Sequence, residues 1–226
     1  MEVPLPVDPK PSTVAVWDMP TRLFHWSIVA LVFTSWLSAD QGYMRVHLWS
    51  GMSLLTLVLF RIGWGLAGSS TARFRDFLHR PRAIAGYLKD MAGGKKMLYA
   101  GHNPAGGLMV AVLLAVLLAQ AASGLFSNDG LKFSGPLALL VSADMSDRLT
   151  RLHGIIFDII LILVWLHVVA VGFYLLVKGD NLVRPMITGK KKGASVPEGA
   201  IIVFAHPARA LGVLTLSAAI AAWILF

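Results

Sequence analysis

Residues 152–168 read LHGIIFDIILILVWLHV, an apolar stretch framed by two histidines, His153 and His167. A helix rises about 1.5 Å and turns about 100° per residue. The fourteen residues between these imidazoles therefore carry them about 21 Å along an axis and return them to nearly one face. A bilayer's hydrocarbon core is about 30 Å thick, so one helix offers two imidazoles on a single side, near opposite faces of a membrane. Ionisable side chains at such depth are costly and mark function.

The rest of the chain agrees with a membrane setting. Of its 226 residues, 56% are hydrophobic and 14% charged, and the mean hydropathy is +0.68. Soluble domains run near 45–50% apolar and about 25% charged. Apolar runs near 22–39, 46–67, 105–127, 149–177 and 209–226 are each long enough to span. The fold expected is an all-α membrane protein, with four transmembrane helices in a bundle and a fifth at the C-terminus. The first 20 residues lack the order of basic flank, short apolar stretch and small-residue cleavage site, so no signal peptide is expected. There is no cysteine, which excludes disulfides, iron–sulfur ligation, thioether haem attachment and thiolate nucleophiles.

The net charge of +8 is distributed by side. With the N-terminus in the cytoplasm, Lys10, Arg22, Arg73, Arg75, Arg80, Arg82, Lys89, Lys95, Lys96, Lys178, Arg184, Lys190, Lys191, Lys192 and Arg209 fall inside. Arg45, Lys132, Arg148 and Arg151 fall outside. Arg61, towards the inner end of the second span, is expected to snorkel. This is the positive-inside pattern, so the basic loops are read as topology and lipid contact, with no nucleic-acid role. Within the inner loop, residues 80–91 are patterned as an amphipathic interfacial helix. Residues 189–200, rich in Gly and Lys, are expected to be a mobile linker.

Depth then pairs the histidines. His25 lies about one turn inside the first span from the inner face, and His47 opens the second span at the outer face. The fourth span runs inward, with His153 outer and His167 inner. His47 can meet His153, and His25 can meet His167; any other pairing joins groups at different depths. Zinc sites want three or four converging ligands. Two imidazoles per level, from different helices, suit the axial positions of two stacked haems about 20 Å apart, and a haem with both axial sites filled does one-electron work. Gly51, Gly106, Gly107, Gly124 and Gly154 would let a flat ring, or simply a neighbouring helix, approach closely.

Other residues admit more than one role. His102, before the third span, suits a haem propionate, a quinone headgroup or a reserve ligand, although Asn103 as cap and Pro104 as first helical residue explain the segment structurally. Arg22 near the inner level, and Arg45, Arg148 and Arg151 near the outer one, suit propionates or topology alone. The seven tryptophans fall mostly near span ends, as an interfacial belt. His79 and His206 are read as surface residues. Asp158 is turned about 140° from His153, away from the ligand side, with Arg61 or Ser53 as candidate partners.

The ordered set Val16-Trp17-Asp18-Met19-Pro20-Thr21-Arg22-Leu23-Phe24-His25-Trp26, His47-Leu48-Trp49-Ser50-Gly51, Gly101-His102-Asn103-Pro104, Leu152-His153-Gly154 and Leu166-His167 resembles bacterial cytochrome b561 proteins and the b-type cytochrome subunits of nickel-iron hydrogenases. The resemblance covers residues 14–192 and leaves 193–226 as a linker with an extra transmembrane helix. It implies two b-type haems, held by His25 with His167 and by His47 with His153, in a bacterial inner-membrane protein. It further implies electron transfer between the quinone pool and a partner such as a soluble c-type cytochrome or a hydrogenase-like complex. The last helix would leave the C-terminus in the periplasm.

Two other functions fit the same residues. A superoxide:quinone oxidoreductase needs a cationic funnel at the outer level, yet the outer basic residues are opposed there by Asp40, Asp129, Asp144 and Asp147. A haem-free transporter or scaffold would use the intramembrane histidines for protons or metal, and a colourless preparation would identify it.

Overall fold

The computed structural model describes residues 11–95, 97–130 and 133–225. Lys10, Lys96 and Lys132 of the charge pattern, and Phe226 at the end of the last apolar run, lie outside the described residues. In chain order the elements are β1 (Thr13–Ala15), α1 (Met19–Asp40), α2 (Met44–Ala67), α3 (Phe74–Phe77), α4 (Pro81–Ala92), α5 (Pro104–Leu125), α6 (Ala143–Leu176), α7 (Val183–Thr188), β2 (Lys190–Lys192) and α8 (Pro207–Leu225).

Five of these helices, α1, α2, α5, α6 and α8, are long and apolar enough to cross a membrane. Their starts follow from local chemistry. Asp18 caps α1 by accepting from the Thr21 amide at 2.8 Å, and Pro20 occupies its first turn. Asn103 caps α5 in the same way through Gly106, ahead of Pro104. Ser142 caps α6, which therefore begins six residues before the apolar run does: a cap and a first turn need no hydrophobicity. Gly42, at φ +72°, turns the chain from α1 into α2, a conformation glycine adopts without the Cβ penalty.

Helix α2 is the hub, packing against α1, α5 and α8, whereas α6 packs chiefly on α5. At one end Met52, Leu55, Leu125 and Ala221 form a core; at the other Phe60, Trp64 and Ala72 form a second. Outward-facing Phe33, Ile162 and Trp165 are exposed, as apolar groups are when lipid is the solvent. A buried hydroxyl pair, Ser35 to Ser50 at 2.6 Å, bridges α1 and α2. Such polar bonds hold membrane helices together where no hydrophobic difference drives them.

The basic loops gather at one end, called here the basic end; the other is the far end. Helix α4 matches the amphipathic segment read from the sequence. It is also docked: Tyr87 is buried and bonds the Tyr174 hydroxyl near the end of α6, and the Lys178 ammonium donates to the Met91 carbonyl.

The expected mobile linker is a correction. Lys190–Lys192 pair antiparallel with Thr13–Ala15, and Lys191, only 7% exposed, bonds Asp180 at 2.9 Å. A strand partner nearly 180 residues away decides this segment, and no local composition reveals it. Trp64 is a second correction: it is fully buried and donates to Asp18 at 3.0 Å rather than joining an interfacial belt.

Candidate functional site

The far level is built between α1, α2, α5 and α6. His47, in the first turn of α2, and His153, in the third turn of α6, have ring centroids 6.0 Å apart, nearly perpendicular. Two imidazoles that would hold one metal ion between them, with metal–nitrogen bonds of about 2.0–2.1 Å on each side, would have centroids about 6 Å apart. Both rings are held in the ligating tautomer. A carbonyl only accepts, so His47 Nδ1–H donates to the Ser35 carbonyl at 2.9 Å, and His153 Nδ1–H donates to the Gln120 carbonyl at 3.0 Å. Each Nε2 then carries the lone pair that binds a metal, and the carbonyl fixes ring orientation.

Both rings line a cavity of about 450 Å³, walled by Trp36, Leu54, Leu117 and Phe157. Gly51 and Gly154 open onto it: a Cβ built on either meets nothing within 4 Å. A Cβ on Gly124 would stand 2.9 Å from His153 Cε1, so that glycine lets the imidazole lie against the α5 backbone. An apolar, glycine-cradled slot lined by both imidazoles fits a flat macrocycle with an iron at its centre.

At the basic level His25 of α1 and His167 of α6 face each other with ring centroids 6.4 Å apart. Trp26 packs edge-on to His25 at 4.9 Å, while its indole nitrogen donates to the Met186 carbonyl. His102 stands between Trp17 and Phe77, at centroid distances of 4.7 and 4.6 Å. Burial, then the Arg61 charge and then His167 and His25, push its pKa down to about 3. It is therefore a neutral imidazole at physiological pH.

Arg22 donates to the Ile187 carbonyl, tying α1 to α7, and leaves its buried Nε unpartnered. At the far end Arg148 pairs with Asp144 at 2.9 Å, and Arg45 and Arg151 are exposed. His79 and His206 are exposed as expected.

Arg61 does not snorkel. It is 2% exposed, its guanidinium stacked over Phe74 and Phe77 at 5.3 and 5.8 Å. Helix α3 folds back beneath α2 and closes the route to the surface, and cation–π contact replaces water. Asp158 accordingly receives neither expected partner. It is exposed on the outward side of α6, Arg61 is enclosed elsewhere, and the Ser53 hydroxyl donates to its own helix at Trp49.

Sequence reasoning missed Ser35, Gln120 and Ser123. The Ser123 hydroxyl lies 3.2 Å from His153 Nδ1, and the Gln120 amide nitrogen 3.2 Å from His153 Nε2. Their signal was available: polar side chains inside apolar spans mark function.

The model of the prokaryotic cytochrome b561 family matches residues 16–189, and the chain belongs to that family. No curated protein and no solved structure matches it. Membership makes it a multi-pass membrane b-type cytochrome acting in electron transfer.

Proposed function

We propose that this member of the prokaryotic cytochrome b561 family holds two b-type haems, one between His47 and His153 and one between His25 and His167, and conducts single electrons across the bilayer. The observation that carries the reading is the pair of facing imidazoles at each of two levels, 6.0 and 6.4 Å between centroids, with α6 contributing one ring to each.

A b haem supplies a one-electron iron couple whose potential follows its ligands, hydrogen bonds and surroundings. The chain supplies the rest. Ser35 and Gln120 carbonyls orient the far imidazoles. Apolar walls at the far level exclude water, and α6 sets the histidine levels about 21 Å apart along its axis. Uncharged His102 and the charged Arg22 and Arg61 form the polar surroundings of the basic level. That end is where a quinone or quinol would exchange electrons. The far end would serve a soluble or membrane redox partner, such as a c-type cytochrome or a hydrogenase-like complex.

The positive-inside pattern of the basic loops supports a cytoplasmic basic end, in a bacterial inner-membrane protein with its N-terminus inside and its C-terminus in the periplasm. Residues 14–192 form the cytochrome unit. Residues 193–226 are an appended linker and helix, with α8 seated on α2.

The test is haem counting and redox titration of the purified full-length protein. Two haems per chain, a sharp reduced α band and reduction by quinol are expected. One haem, or an iron-free preparation from a haem-replete host, would sink the proposal.

A further inference from the structure

Buried side-chain nitrogens and oxygens without a hydrogen-bond partner are not spread evenly through the molecule. Apart from Gln120 Oε1, those among the described residues are Thr21 Oγ1, Arg22 Nε, His25 Nδ1, His102 Nδ1 and both terminal nitrogens of Arg61. All of these belong to the basic level. Buried polar groups are normally satisfied, and a buried guanidinium is the most demanding of them.

The nearest candidate acid is engaged elsewhere. Asp18 accepts from the Thr21 amide with one oxygen and from the Trp64 indole with the other, and it makes no ion pair with Arg61. The Arg22 and Arg61 nitrogens can only donate, so this level lacks an acceptor for them, and a guanidinium favours one with negative charge.

The place of Arg61 on α2 says which acceptor. It follows His47 by fourteen residues, the spacing of His153 and His167 on α6, so it stands about 21 Å below His47 and within about 40° of the same face. Helix α2 thus presents an imidazole at one level and a guanidinium at the other. Phe74 and Phe77 hold that guanidinium from one side, and His102, itself packed on Phe77, fills the space near it. A guanidinium presents two parallel N–H donors, the geometry of a carboxylate; a quinone oxygen is a single neutral acceptor.

We infer that Arg61 binds a carboxylate of the cofactor held by His25 and His167, and so sets the potential of that level above what its ligands alone would give. The inference rests on the two-haem reading given under Proposed function. A fixed positive charge favours the reduced iron, which is less positive by one unit, so removing it makes reduction harder.

The experiment is potentiometric titration of the full-length protein as wild type, R61Q and R61K, with the two haems assigned by which one H153A removes. In R61Q the basic-level haem becomes at least tenfold harder to reduce, about 59 mV for one electron, while the far-level haem moves less than twofold. R61K, which keeps the charge, recovers most of the shift. An unchanged basic-level potential at full occupancy overturns the inference and leaves the two-haem reading intact. So does an equal shift of both haems, or a loss of quinol reactivity alone. If R61Q loses the basic-level haem, R61K decides: retention with a near-native potential supports the inference, and loss in R61K as well shows a role in shape. A wild type without a basic-level haem overturns this inference and the reading beneath it.

Discussion

The two histidine levels have similar ring separations and dissimilar surroundings. At the far level the imidazoles are oriented by backbone carbonyls of Ser35 and Gln120 and open onto an apolar, glycine-lined cavity. At the basic level His25 has no Nδ1 partner, and the neighbours are indoles, a neutral imidazole and two guanidinium groups. One site is shaped by neutral dipoles and the other by charge. In a low-dielectric interior a fixed charge acts strongly on a redox group, so two sites with the same ligands can hold different potentials. A difference of that kind gives electron flow a direction.

The strongest way to break the comparison is to delete one level. H153A is expected to remove the far-level haem and leave most of the basic-level one, and H25A to do the reverse. Haem-to-protein ratios and reduced difference spectra check both; loss of both haems from either variant would show that the levels are not separate.

Gly124→Val comes next. Its Cβ would stand 2.9 Å from the His153 ring, so the far-level haem should fall to half occupancy or less while the basic level is unchanged. G212A, which adds a methyl to open space on α8 away from that cavity, serves as the control with near-native spectra.

Trp64→Phe removes the donor to Asp18. The buried carboxylate oxygen left without it costs about 1–3 kcal/mol, read as a lower temperature of thermal bleaching, with the basic level lost first.

The smallest effect is His102→Gln. In the folded protein His102 takes up a proton only near pH 3, whereas the unfolded chain does so below about 6.5. The unfolded state therefore binds more protons in that window, and stability falls as pH drops below about 6.5, by at most about 1.36 kcal/mol per pH unit. H102Q should flatten that fall; bleaching temperatures at pH 7.5 and 5.5, compared with wild type, measure it.

Much of this was legible in the chain. Hydropathy located five spans because lipid demands about 20 apolar residues, and helical rise alone set which histidines stand opposite each other. What was not legible depended on distant chain segments. Arg61 reads as a snorkelling residue until α3 closes over it. Lys190–Lys192 read as a tether until residues 13–15 are found alongside. Trp64 lies where belt tryptophans lie, and only the turn before α1 supplies its acceptor. Gln120 and Ser123 were within reach, since a polar side chain amid leucines needs a reason.

The bond from the Trp64 indole to Asp18 has a geometric consequence. Asp18 is the cap from which α1 is counted, so His25 lies a fixed two turns along. Trp64 is one turn from Arg61 on α2. A single indole–carboxylate link thus indexes an imidazole on one helix against a guanidinium on the next. Sliding α1 by one turn, about 5.4 Å, would break it and carry His25 out of register with both Arg61 and His167. The register of the basic-level histidine pair is fastened at its rim.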